Sequence, residues 1–468
     1  MKDLNFEDEL NFDEFPPVST EKWEEVIQKD LKGKDYKETL RWDTGEGFEI
    51  LPFYRTEDLN KLKHSAEPLT GSGNWSVLEI IEDAELSEAN KLALQALENG
   101  ASGLDLRLNS GRITSKDDLL SLFENIQIDI ITIVFGPSVS SPEVINWVNE
   151  IISDRDLNTE SLDIHFPADV FSLAVVNEKL PTKERFDSYT KKLNTDYGSI
   201  LIDTSAYTNA GASLVQQLAF ALSAGNEYLG SAPELATSLS FRFATGTLYF
   251  PEIAKYRAFR LLWDQVLNEY EVSNSSVKIL SETTLWNKAQ NDPYTNLLRA
   301  TTEAMSAAVG GCNGVSVHRF DEHFNEHTAF ASRIARNTQL ILQEEAYLSK
   351  VSDPGAGSYY IEVLTEEMAE KSWKLFQEIE AKDGFYECLK SGYIQELISE
   401  SRNKKIKAYK EEKKTLIGVN KYQPEEETDI SFVETQKHEV SSKESGDMIE
   451  ITPIKPLHLE AELKKGDA

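Results

Sequence analysis

The stretch that decides the fold runs from residue 277 to residue 345. It reads VKILSET at 277–283, PYTNLLRATTEAMSAAV at 293–309 and, after Gly310–Gly311, VSVH at 315–318. The outer segments have the apolar and β-branched residues of strands, and the middle segment begins with a proline that favours a helix start. Strand, helix, glycine turn and strand make a βαβ unit. This unit predicts a parallel sheet with its working loops at the carboxyl ends of the strands.

The same alternation extends outward from this unit. Eight candidate strands start roughly 25 to 40 residues apart with helical segments between them, as βα units require. We therefore predict an α/β fold with a (β/α)8 TIM barrel over residues 71–330. An open doubly wound sheet is the alternative, although no GxGxxG sequence follows the first strand. The predicted strands are Val77–Ile81, Gly103–Leu108, Ile128–Phe135, Leu162–Phe166, Ser199–Thr204, Leu239–Ala244, Val277–Thr283 and Val315–His318.

Three further segments flank the predicted barrel. Residues 1–70 are predicted to form an N-terminal arm that contacts a partner, and residues 331–424 a helical extension that packs on the barrel. Residues 425–468 are acidic and poor in apolar residues, so we expect this tail to be largely disordered. Within it, Met448–Leu459 could add a strand or dock on a partner.

Composition restricts the class of protein. A formal net charge of −32 argues against binding to nucleic acid or to anionic membrane surfaces. No apolar run approaches the ~20 residues of a membrane span, and the start of the chain lacks the basic and apolar blocks of a signal peptide. The two cysteines, Cys312 and Cys388, lie far apart and show no CxxC or Cys/His ligand spacing, which argues against a zinc site and a disulfide framework. We therefore expect a cytoplasmic location.

Polar residues follow several predicted strands at their carboxyl ends, where a barrel places its pocket. His318 could donate a proton or be a packed structural residue. Arg319 could bind a carboxylate or phosphate, although pairing with Asp321 is favoured. These side chains do not form a convincing catalytic set. The pocket candidates are Asp203, Thr204, Asn209, Thr283, His318 and Arg319.

Two other motifs are weaker. His323–His327 spells HxxEH, which can bind zinc on a helix, but a solvated helix face is favoured because a third ligand does not stand out. Glu82–Asp83 are adjacent carboxylates, and adjacent side chains on a strand point to opposite faces. We therefore expect neither a metal site nor an acid–base pair from these residues.

Nine segments carry motifs in a recognisable order. They are Phe15–Thr20, Asp30–Gly33, Glu252–Lys255, Arg260–Trp263, Asn296–Met305, Ala335–Leu340, Asp353–Pro354, Gly357–Tyr360 and Gly418–Gln423. Together they resemble the methylmalonyl-CoA mutase family of cobalamin-dependent isomerases over roughly residues 15 to 423. Asn296–Met305 is similar to that family's helix after the seventh barrel strand, and Phe15–Thr20 to the arm of its small subunits.

This sequence departs from the family pattern at the positions where the family's catalytic chains carry reactive side chains. Ile80 falls where catalytic chains carry a tyrosine that helps drive radical formation, and Ser205 and Ala206 fall where they carry Tyr-His. Neither His438 nor His458 fits the Asp-x-His-x-x-Gly signature whose histidine ligates cobalt. The resemblance therefore implies that this chain has no cobalamin-binding domain, binds no cofactor and has no catalytic residues of its own.

The resemblance implies a small, non-catalytic subunit of a heterodimeric methylmalonyl-CoA mutase. Its partner would be the large catalytic subunit, which would carry adenosylcobalamin and interconvert methylmalonyl-CoA and succinyl-CoA. The alternatives are an independent enzyme that uses Asp203, Thr283 and His318 on an acyl-CoA thioester, or a regulatory module that binds CoA esters. Bulky side chains across the barrel axis would favour the non-catalytic subunit, whereas an open tunnel would favour a substrate site.

Overall fold

The computed structural model describes most of the chain and divides it into two compact units, which meet between Tyr54 and Arg55. The predicted arm of residues 1–70 therefore ends earlier, since residues 55–65 belong to the second unit. His64 explains this boundary, because its ring lies 2.8 Å from a carboxylate oxygen of Glu362 and 2.6 Å from one of Glu366. The described residues are 17–65, 73–82, 84–109, 111–136, 142–167, 169–193, 197–272, 276–322, 324, 328–425 and 448–465.

The N-terminal unit is small. It contains helices α1 (Thr20–Asp30) and α2 (Tyr36–Leu40) and an antiparallel pair of short strands, β1 (Trp42–Asp43) and β2 (Glu49–Ile50). None of the residues of α1 is buried, and Trp23 and Val26 on this helix are 49% and 55% exposed. Its expected role in contacting a partner stays a prediction.

The second unit is built on a closed barrel of eight parallel strands, as the sequence predicts. The strands are β3 (Ser76–Glu82), β4 (Gly103–Arg107), β5 (Thr132–Phe135), β6 (Asp163–Phe166), β8 (Ser199–Asp203), β9 (Leu239–Thr245), β10 (Lys278–Thr283) and β11 (Gly314–Ser316). A separate antiparallel pair consists of β7 (Lys179–Pro181) and β12 (Met448–Glu450). Around the ring the order is β10, β11, β3, β4, β5, β6, β8 and β9, and β9 pairs with β10. The open-sheet alternative is therefore wrong.

Helices surround the strands and continue into the C-terminal extension. Gly225 lets the helix at Leu214–Ser231 approach the helix at Tyr249–Glu269, because a Cβ at Gly225 would lie 2.6 Å from the ring of Trp263.

No helix in the described part of the chain is long and apolar enough to cross a bilayer. The helices are α3 (Thr56–Leu59), α4 (Leu86–Glu98), α5 (Lys116–Leu122), α6 (Pro142–Asp154), α7 (Val170–Asn177), α8 (Lys183–Thr190), α9 (Ser205–Asn209), α10 (Leu214–Ser231), α11 (Tyr249–Glu269), α12 (Thr295–Val309), α13 (Ala329–Glu344), α14 (Tyr359–Glu380), α15 (Gly384–Ser391), α16 (Tyr393–Lys410) and α17 (Leu459–Lys464).

The middle of the barrel is filled by one apolar layer. Leu78, Val134, Leu201 and Leu280 pack together and are fully or almost fully buried. They come from β3, β5, β8 and β10, which are every second strand around the ring. Alternate strands supply each layer of a (β/α)8 core, so this is the expected packing. The layer separates the two ends of the barrel.

The C-terminal tail is more ordered than predicted. Residues 425–468 are predicted to be largely disordered, with the possibility that Met448–Leu459 adds a strand, and residues 448–465 indeed form β12 and α17, with Ile451, Leu457 and Leu459 buried. The acidic composition of the whole tail obscured these apolar residues, which provide a surface for packing. Residues 426–447 lie outside the described residues.

Candidate functional site

Charged side chains meet inside the carboxyl half of the barrel. Arg242 of β9 is only 3% exposed. Its Nη2 atom lies 2.5 Å from Oδ2 of Asp203 on β8, and its Nη1 atom lies 3.2 Å from Oδ2 of Asp105 on β4. In the eight-strand ring, β4 and β9 are four positions apart in either direction and therefore face each other. The contact between Arg242 and Asp105 thus spans the lumen.

A second arginine extends this network. Nη2 of Arg107 on β4 lies 2.7 Å from Oδ2 of Asp105 and 2.6 Å from Oε2 of Glu282 on β10. The Ser316 hydroxyl on β11 donates a hydrogen bond of 2.9 Å to the same Asp105 oxygen. Burial raises the pKa of Asp105, but the two arginines outweigh it and lower that pKa overall. We call Asp105, Arg107, Asp203, Arg242, Glu282 and Ser316 the lumen network.

His318 lies next to the lumen network and is buried between two carboxylates. Its Nδ1 atom is 2.6 Å from Oε1 of Glu322, and its Nε2 atom is 3.7 Å from Oε1 of Glu282. Burial acts to lower the pKa of His318, but the carboxylates outweigh it and raise that pKa to about 9. The ring is therefore protonated at neutral pH, and a protonated imidazole has no lone pair with which to accept a proton. His318 is thus unsuited to act as a general base.

This charge state gives a pH-dependent contribution to stability. The pKa of His318 is higher in the folded chain than its ordinary value of 6.5, so its contribution is complete below pH 6.5 and is lost as the pH rises through about 9. The contribution is on the order of 3 kcal/mol. We expect the difference in free energy of unfolding between the wild type and His318→Gln to shrink across this window in urea titrations. A difference that stays constant with pH would contradict this assignment.

Two other predicted pocket residues are engaged in structural contacts. Nη1 of Arg319 lies 3.1 Å from Oε2 of Glu82, whereas its Nε atom lies 3.8 Å from Asp321. The favoured pairing with Asp321 is therefore the longer of the two contacts. The Thr283 hydroxyl accepts a hydrogen bond of 3.0 Å from the backbone N–H of His318. Both contacts join neighbouring strand ends to each other.

The segment after β8 is fixed by hydrogen bonds to neighbouring strands and loops. The hydroxyl of Thr204 donates a hydrogen bond of 2.9 Å to the backbone carbonyl of Arg242. The side-chain oxygen of Asn209 accepts a hydrogen bond of 2.9 Å from the backbone N–H of Leu285. The structure therefore places Asp203 in the lumen network and His318 beside it. Thr283 and Arg319 join neighbouring strand ends, and Thr204 and Asn209 stabilise the loops after β8.

The three positions that depart from the family pattern carry no reactive ring. The Ser205 hydroxyl donates a hydrogen bond of 2.6 Å to Asp203, Ala206 has only a methyl group, and Ile80 is half-buried within β3. No group of three or more His, Cys, Asp or Glu side chains within the described ranges is arranged to hold a metal ion. Both histidines of the HxxEH segment lie outside those ranges.

Most of the lumen network is not among the predicted pocket residues. Asp105, Arg107, Arg242 and Glu282 all lie within predicted strands, which are recognised by their apolar residues. The available signal was alternation: residues 104–107 read LDLR, and side chains two residues apart on a strand share one face. Charged residues on the inner face of a predicted barrel indicate a polar lumen.

Comparisons with known proteins agree with this architecture. The family model described as methylmalonyl-CoA mutase matches residues 111–453. The small subunit of methylmalonyl-CoA mutase from Porphyromonas gingivalis is 33% identical over 461 residues, covering 89% of this chain and 71% of that protein. The methylmalonyl-CoA mutase of Rhizobium meliloti is 32% identical over 464 residues, covering 88% of this chain and 65% of that protein. The chain therefore spans less than two thirds of the length of this second relative.

Proposed function

Because this chain belongs to the methylmalonyl-CoA mutase family, we propose that it is the small, non-catalytic subunit of an adenosylcobalamin-dependent mutase. The assembly is a cytoplasmic heterodimer in which the large subunit binds the cofactor and interconverts methylmalonyl-CoA and succinyl-CoA. The Porphyromonas gingivalis relative is named a methylmalonyl-CoA mutase small subunit, which supports this role.

One observation carries the proposal: the lumen network joins opposite walls of the barrel. A substrate that passed along the axis would have to separate Arg242 from Asp105, and Arg107 from Glu282. Each separation would leave buried charges without their partners, and breaking one such pair costs roughly 3–5 kcal/mol. The barrel is therefore better suited to rigidity than to substrate binding.

The residues at the barrel mouth do not fit a reactive corrin site. Ile80, Ser205 and Ala206 offer no imidazole or phenol, and the Ser205 hydroxyl is already bonded to Asp203. We therefore assign no reaction step to this chain. Its contribution is a rigid scaffold that stabilises the large subunit by burying surface against it.

A titration of the isolated chain with methylmalonyl-CoA tests this proposal. Isothermal calorimetry is expected to show no saturable binding up to about 1 mM thioester. A parallel titration with free coenzyme A examines the regulatory alternative. Saturable binding of the thioester would contradict the proposal and favour an independent enzyme, and binding of both compounds would favour a regulatory module.

A further inference from the structure

The C-terminal segment, residues 448–465, runs along the helical extension towards the barrel mouth. It begins with β12, which pairs with β7, and the backbone N–H of Ile451 then donates to the carbonyl of Glu178 at 3.1 Å. Two side chains of α16 hold the backbone that follows. Gln395 donates a hydrogen bond of 3.1 Å to the carbonyl of Thr452, and Arg402 donates one of 3.0 Å to the carbonyl of Lys455. We call residues 448–465 the cap segment.

The cap segment then contacts two loops at the carboxyl ends of barrel strands. The backbone N–H of Leu457 donates to the carbonyl of Asn209, which follows β8, at 2.6 Å. The N–H of Leu459 donates to the carbonyl of Trp286, which follows β10, at 3.2 Å. The cap segment thereby bridges two loops on either side of the end of β9.

A buried carboxylate strengthens this bridge. Glu460 is 1% exposed, and its two oxygens accept the backbone N–H groups of Gln290 at 2.5 Å and Asn291 at 3.2 Å. Lys464 lies 2.9 Å from the same carboxylate. Hydrogen bonds from N–H groups to an ionised oxygen are stronger than neutral ones, so Glu460 holds the loop after β10 firmly.

Apolar packing completes the contact. Leu457 and Leu459 are buried in one cluster with Trp286, and this cluster also contains Tyr409 of α16. Such packing indicates a stable docking site rather than a transient contact, because burying one leucine contributes roughly 1.5–3 kcal/mol.

From these contacts we propose that the cap segment closes one side of the barrel mouth. It holds the loops after β8 and β10 together and occupies the rim to which a ligand or a second protein domain would otherwise have access. Enzymes built on this fold bind their substrates at this face, so the cap segment restricts the one surface that a catalytic barrel must keep open. This proposal goes beyond the mutase assignment and does not depend on it.

Hydrogen exchange of the full chain tests the proposal. Glu460→Gln removes the charge that holds the loop after β10, so we expect amides of residues 284–291 to exchange about tenfold faster. Leu459→Asp removes the apolar contact, and we expect faster exchange at residues 205–212 as well. Glu450→Gln is the matched control in the same segment, because Glu450 is an exposed residue of β12.

The barrel strand β4 provides an internal reference in the same experiment. Under the proposal, exchange at residues 103–107 is unchanged in all three variants. Unchanged exchange of both loops in Glu460→Gln and Leu459→Asp would overturn the proposal. An increase of equal size in β4 would also overturn it, because the cap segment would then stabilise the whole fold rather than close the mouth. Neither result depends on the large subunit.

Discussion

Arg242→Met is expected to lower the free energy of unfolding by about 3–5 kcal/mol, the cost of breaking one buried ion pair. Methionine retains much of the volume of arginine but leaves Asp105 and Asp203 buried without this partner. Water cannot easily solvate either carboxylate, since both residues are buried. Urea unfolding followed by circular dichroism at neutral pH measures the loss.

Two further variants show whether the loss of stability in Arg242→Met comes from the unpaired buried charges. Arg112→Met is the matched control, because Arg112 pairs with Glu85 at the surface and such pairs contribute only about 0–1 kcal/mol. Replacing Asp203 by asparagine together with Arg242→Met is expected to recover part of the lost stability, because the neutral amide replaces the carboxylate that loses its arginine, whereas Asp105 keeps its pair with Arg107. An Arg242→Met protein as stable as the wild type would show that the lumen network does not hold the barrel together.

The barrel itself could be predicted from sequence because its strands are buried on both faces. Such strands read as short apolar runs, and Leu239–Ala244 was predicted almost to its observed end at Thr245. Ile128–Phe135 was predicted too long, since residues 128–131 form a turn and the strand begins at Thr132. Ile130 there is exposed, so an apolar residue outside the core misled the assignment.

The lumen network could not be predicted in the same way. Asp105 and Arg242 are 137 residues apart, and they meet only because the ring closes with β4 opposite β9. The predicted barrel places these two strands opposite each other, but local patterns do not indicate which side chains meet at the same height in the lumen. The roles of His318 and Glu322 depend on the same closure, because the charges around a side chain determine its pKa.

The cap segment was only partly anticipated. The sequence allows Met448–Leu459 to add a strand, but it predicts that the acidic tail is largely disordered. Glu460 illustrates the difficulty, since one more glutamate in an acidic tail gives no sign that it will be buried against two backbone N–H groups. Its partners are about 170 residues earlier in the chain, and only the folded barrel brings them together.

A second prediction concerns the mutase activity of the purified chain. The chain alone lacks a reactive ring at Ile80, Ser205 and Ala206, and its lumen is crossed by ion pairs. We therefore expect no mutase turnover from the purified chain supplied with adenosylcobalamin, and full activity only when the large subunit is present. The large subunit without this chain is the necessary control, because it shows how much the small subunit contributes.

Turnover of methylmalonyl-CoA to succinyl-CoA by the purified chain, with adenosylcobalamin and with and without the large subunit, is the most direct measurement of this account. The account predicts succinyl-CoA only in the mixture that contains the large subunit, with the cobalamin remaining on that subunit when the two are separated. Succinyl-CoA formed by this chain alone would contradict it.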